Sequence, residues 1–90
     1  MKSSRQSPDA ALREAKLVAQ LNQFGLSRHA TRRMQERNVT RDDIRHALRT
    51  ATEATYGDRC WRLDGGRDLG GEDLTVVLTL SGGAVVVTVI

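Results

Sequence analysis

The chain has 90 residues, a formal charge of +3 and only three aromatic side chains, Phe24, Tyr56 and Trp61. A chain this short buries about two-thirds of its unfolded surface, which leaves room for one modest core and disfavours a deep enclosed pocket. Scarce rings argue against a base-stacking platform, and no apolar run is long enough to span a bilayer.

Residues 1–6 are polar and read as a disordered lead-in to a single domain over 7–90. They lack the apolar stretch of a secretory signal. The lone Cys60 cannot support a disulfide framework. The cytoplasm is therefore the expected location.

Ser7-Pro8-Asp9 predicts a helix start: a capping hydroxyl, a proline in the first turn and an acid at the positive end of the dipole. Leu12, Ala15, Val18 and Ala19 follow at helical spacing and give a narrow apolar side. This helix either packs on the domain or faces a partner. Gly25 ends it or the short segment after it.

Ser27 is the expected cap of a second helix, with Leu26, Ala30, Met34 and the stem of Arg37 as its inner stripe. His29 and Arg33, four apart, share another face. Asn38 can take the left-handed conformation that ends the helix. Thr40 and Asp43 then resemble a capping box. A third helix is predicted to run to about Thr52, burying Ile44, Ala47, Leu48 and Ala51 and leaving His46 exposed.

Strands are predicted over 59–63, 74–80 and 84–90. Ser81-Gly82-Gly83 closes the last hairpin. The run from Ala84 to Ile90 reads as a central or doubly covered strand. Helices followed by strands give an α+β fold with N-terminal helices on a small antiparallel sheet.

The charge is unevenly spread. Seven arginines fall between Arg28 and Arg49 against Glu36, Asp42 and Asp43, whereas five acids face three arginines between Asp58 and Asp73. A basic helical half suits phosphate. His29 can move a proton near neutral pH and act as a general base. Alternatively, its ring pins the helix to a sheet carbonyl. Arg33 and Arg37 can stabilise charge on a phosphate in metal-free RNA cleavage, and Arg28, Arg32, Arg41 and Arg45 are candidates for nucleic-acid contact. Singly, each arginine also suits an ordinary surface ion pair, such as Arg33 with Glu36. No metal-ligand spacing and no phosphate loop is evident, so no metal and no cofactor is expected.

Leu26-Ser27-x-His29-Ala30-x-x-Arg33-x-x-x-Arg37-Asn38-Val39-Thr40 resembles the bacterial family named domain of unknown function 4258, whose pattern reads S-x-H-A-x-x-R-x-x-x-R-G-I-S. The likeness continues through Ile44, Ala47-Leu48 and Val85-Val86-Val87-Thr88-Val89. Asn38 stands where the family has glycine. The family is similar to the RelE/ParE-like and BrnT-like toxin group. That resemblance implies a RelE-like fold and a toxin-like, metal-independent ribonuclease with His29, Arg33 and Arg37 as site residues. Thr88 on the last strand would complete the site. RNA, and an antitoxin or other small protein, would be the partners, with no membrane. The other readings are a non-catalytic nucleic-acid-binding module and a protein-interaction domain.

Overall fold

A computed structural model describes residues 6–90. Apart from Gln6, the expected lead-in lies outside the described residues. The elements are α1 (Pro8–Leu21), β1 (Gly25–Leu26), α2 (Arg28–Arg37), α3 (Arg41–Thr50), β2 (Glu53–Gly57), β3 (Cys60–Asp64), β4 (Val76–Thr79) and β5 (Val85–Val89). The fold is α+β: three helices pack on a five-stranded sheet of order β1-β5-β4-β3-β2.

All three helix starts follow from their caps. The Ser7, Ser27 and Thr40 hydroxyls accept from the backbone N–H groups of Ala10, Ala30 and Asp43. Each satisfies a donor that the first helical turn leaves open. Asn22 and Asn38 end α1 and α2 at φ values of 55° and 58°. Asparagine is among the few side chains that accept this left-handed conformation.

The core is aliphatic and fed by every layer. Ala11, Ala15 and Ala19 line the inner face of α1, so this helix approaches α3 over small side chains. Ile44, Ala47 and Leu48 of α3 meet Leu63, Val76 and Leu78 of the sheet. Trp61 is 4% exposed and packs edge to face with Tyr56, their centroids 5.1 Å apart.

Three cations close the seam between α1 and α3. Lys16 Nζ donates to the Ala51 carbonyl at 3.2 Å. Arg45 Nε donates to the Ala19 carbonyl at 3.0 Å. Arg41 donates from Nε to Asn22 Oδ1 at 2.9 Å and from Nη2 to the Phe24 carbonyl at 2.7 Å, and its guanidinium sits 3.9 Å over the Phe24 ring. These carbonyls lie at or just beyond helix C-termini, where positive charge is favoured.

Several expectations are corrected. The sheet is mixed: β1 runs parallel to β5, with Gly25 opposite Val85 and Leu26 opposite Val86. A two-residue strand between two helices gives no periodicity to read, and the pairing exists only in three dimensions. β2 was not expected. It pairs with β3 across Asp58 and Arg59, whose φ values of 52° and 65° make a tight two-residue turn without glycine. β5 has neighbours on both sides but is covered on one face only: Val86 and Val89 are buried while Val85 is 39% exposed. The third helix ends at Thr50, two residues early, because Thr52 and Gly65 bring the chain onto the sheet. Here the Thr52 N–H donates to the Asp64 carbonyl.

His46 is half-buried rather than exposed, and its Nδ1–H donates to the Arg67 carbonyl at 2.9 Å. It pins the 65–73 loop to α3 together with Thr50 Oγ1, which accepts from the Arg67 N–H. Asp43 is the third anchor. Its Oδ2 accepts from the Thr40 N–H at 2.9 Å and its Oδ1 from the Leu69 N–H at 3.0 Å. Gly66 fits only as glycine, because a Cβ there would lie 2.4 Å from the Ala47 carbonyl oxygen.

Two predictions follow from these anchors. Gly66→Ala forces α3 and the loop apart and should lower stability by about 1–3 kcal/mol in urea denaturation. The backbone N–H of Thr40, then that of Leu69, hold the Asp43 carboxyl below the usual carboxylate range, with His46 assisting and desolvation opposing. That contribution is complete above the unfolded carboxylate range and is lost as pH falls through the lowered folded value. The stability difference between the native chain and Asp43→Asn should therefore hold near neutrality and shrink on acidification below pH ~4. A difference that ignores pH would contradict this role.

Candidate functional site

Helix α2 carries the candidate side chains, and Ser27 sets its position. The Ser27 N–H donates to the Val86 carbonyl at 2.9 Å. Its Oγ–H donates to the Val87 carbonyl at 2.9 Å, and the same oxygen accepts from the Ala30 N–H at 3.0 Å. One residue thus extends the β1–β5 pairing, caps the helix and ties the helix start to β5. Ala30 and Met34 are the buried residues of α2 and join the core that holds Val86 and Val89.

The rest of α2 faces outward. His29, Arg33 and Arg37, spaced by four, line one flank of a helix about 15 Å long. Arg28 and Arg32 form a neighbouring row. Arg28, His29, Arg32 and Arg37 are exposed, and their side chains make no hydrogen bond or ion pair with a described residue. The Arg37 stem therefore does not join the inner stripe. Arg33 is half-buried, and its Nη1 meets Glu36 Oε1 at 3.2 Å, the pairing foreseen from their spacing. Glu36 lies seven residues from His29, which places it on the same face; its membership of the site was not recognised from the sequence. The i, i+4, i+7 spacing was the available signal.

The remaining candidates lie apart from this row. Arg41 and Arg45 spend their donors on α1 and its exit, with Arg45 Nη1 also 3.5 Å from Asp42. Thr88 is on the other face of the sheet. Leu78 pairs with Val86, but Val77 pairs with Thr88, so Val87 is an extra residue in a bulge. Val76 and Leu78 are buried under the helices and Val77 between them points away, as does its partner Thr88. The bulge reverses the alternation that would have put Thr88 on the same face as Val86. The structure brings together His29, Arg33 and Arg37 and separates Thr88 from them. The sheet-carbonyl role considered for His29 belongs instead to His46, with a loop carbonyl as acceptor.

The site is an exposed helix surface. A concavity of about 350 Å³ is lined by Gln6, Glu14, Tyr56, Arg59, Trp61, Leu80 and Ser81, near the β2–β3 turn, and none of its lining residues is on α2. The rings are also elsewhere: Phe24 lies under Arg41, and Tyr56 and Trp61 pair on β2 and β3. No group of three His, Cys, Asp or Glu side chains suited to a metal forms among the described residues. Nor is any helix there long and apolar enough to cross a membrane. The α2 surface can offer guanidinium forks and one imidazole to a phosphate.

Residues 26–90 match the family described as domain of unknown function (DUF4258), and the chain belongs to it. No curated protein and no solved structure matches the chain. Helix α1 lies outside the matched span, yet Arg41 and Arg45 inside it hold that helix in place.

Ser27→Ala removes the cap and the hydroxyl's bond to the Val87 carbonyl together, while the backbone bond to Val86 stays. It should cost about 1–2 kcal/mol. Amide hydrogen exchange should speed up in the first turn of α2 while the α1–α3 seam stays protected. Uniform loss of protection would contradict a local role.

Proposed function

We propose that this chain is a cytoplasmic, toxin-like domain of RelE or BrnT type that binds RNA through α2 and cleaves it without a metal. The observation that carries the reading is the outward row of exposed His29, half-buried Arg33 and exposed Arg37, beside Arg28 and Arg32, whose side chains pair with no described residue. In the reaction, His29 takes the proton of a ribose 2′-hydroxyl and the 2′ oxygen attacks phosphorus. The bond from phosphorus to the 5′ oxygen breaks, water protonates that oxygen, and a 2′,3′-cyclic phosphate remains. Arg33 and Arg37 carry the charge that builds on the non-bridging oxygens. Thr88 has no part in this scheme. A neutralising small protein would cover the same basic face with acidic side chains.

A second reading is a nucleic-acid-binding module without catalysis. It is favoured by the exposure of the α2 surface, which leaves a bound strand in water.

Total RNA incubated with the purified chain in EDTA separates the two. The catalytic reading expects fragments with cyclic-phosphate ends and a loss of rate of about 10²-fold or more in His29→Ala. Intact RNA from a folded protein overturns catalysis. Binding itself should fall with salt, with a log–log slope near −3 if four arginines each meet a phosphate of a single strand. Each of Arg28→Ala, Arg32→Ala and Arg37→Ala should reduce that slope by about 0.7. Salt-independent binding or none would overturn both readings.

A further inference from the structure

Glu36 is the one acidic side chain on α2, and its carboxylate is already on Arg33. The contact is a single Nη1–Oε1 approach of 3.2 Å between a half-buried arginine and an exposed glutamate. An exposed pair of this kind contributes little to stability. A guanidinium can give two parallel bonds to a phosphate, against the single contact it gives Glu36. The other arginines of α2 have no such occupant: Arg28, Arg32 and Arg37 meet no carboxylate among the described residues.

We infer that Glu36 is a built-in competitor for the phosphate group at Arg33, occupying the guanidinium until an incoming phosphate displaces it. This rests on the reading of α2 as a phosphate-binding surface. Glu36 acts through Arg33 and touches no reacting atom, so it sets affinity and discrimination. An anion that reaches Arg33 through one oxygen gains too little to displace Glu36. A phosphodiester with two available oxygens gains enough.

The test is a fluorescence-anisotropy titration of a labelled single-stranded RNA oligonucleotide at low salt. It compares the native chain with Glu36→Gln, and Arg33→Ala with Arg33→Ala/Glu36→Gln. Glu36 is exposed and its side chain makes no hydrogen bond or ion pair beyond Arg33 among the described residues, so glutamine keeps the fold. The expected result is binding about fivefold tighter for Glu36→Gln, with the gain falling below about twofold when Arg33 is absent. An equal gain in both backgrounds would mean that Glu36 acts only through net charge and would overturn the inference. Weaker binding in Glu36→Gln would make Glu36 a positioning residue for Arg33 and overturn it too.

Inorganic phosphate separates this claim from the RNA reading. The Arg33 Nε–Hε resonance of ¹⁵N-labelled protein should respond at lower phosphate concentration in Glu36→Gln than in the native chain. That result without RNA binding would end the RNA reading and leave the competitor role intact. An unchanged phosphate response would end the competitor role whatever RNA does.

Discussion

The candidate surface depends on three hydrogen bonds among those made by Ser27. Its N–H continues the parallel pairing of β1 with β5, its hydroxyl proton goes to the Val87 carbonyl and its oxygen caps α2. Without that junction, α2 would be held only by Ala30 and Met34 over β5. Such a contact fixes the buried face of a short helix but not its axial position or its entry angle. The hydroxyl fixes both, and the register of every outward side chain on α2 follows. The bulge at Val87 belongs to the same corner of the fold, because the carbonyl that receives the Ser27 hydroxyl is that of the extra residue.

The rest of the basic half is divided by use. Lys16, Arg41 and Arg45 are structural cations that meet carbonyls near helix C-termini and fasten α1. Among the described residues Arg28, Arg32 and Arg37 have no such task, and Arg33 is lightly held. The histidines divide in the same way: His46 latches a loop, and His29 is exposed to solvent. Formal charge therefore overstates what is available for a ligand. Among the described residues the available part is densest on α2, which carries four of its arginines and His29, while Arg13, Arg49 and Arg59 are exposed singly elsewhere.

What was legible in the chain was local. Hydroxyl caps at Ser7, Ser27 and Thr40 and the left-handed exit at Asn38 follow from side-chain chemistry within four residues, and α2 falls where its pattern placed it, whereas α1 is ended by Asn22 and Gly25 belongs to β1. The four-residue row on α2 was legible for the same reason. What was hidden depends on distant partners. The carbonyls that take up Arg41 and Arg45 lie 17 to 26 residues away. The parallel pairing of β1 joins positions about 60 apart. Thr88 illustrates the limit most clearly: a one-residue bulge moves a side chain to the opposite face, and a run of β-branched residues carries no sign of it. Asp43 shows the converse. Its place in a capping box was readable, but the shorter acid in place of glutamate has a second use, because its other oxygen reaches the Leu69 N–H.

The central claim is that α2 is the surface that meets phosphate. Amide and arginine side-chain NMR spectra of the labelled chain, recorded during titration with a short RNA oligonucleotide in EDTA, test it most directly. The account predicts salt-sensitive shifts concentrated on residues 28–37, largest at Arg28, His29, Arg32, Arg33 and Arg37, with the Arg41 and Arg45 side chains unmoved. Shifts centred on the uncovered sheet face around Arg62, Val77 and Thr88, or on the 65–73 loop, would contradict it.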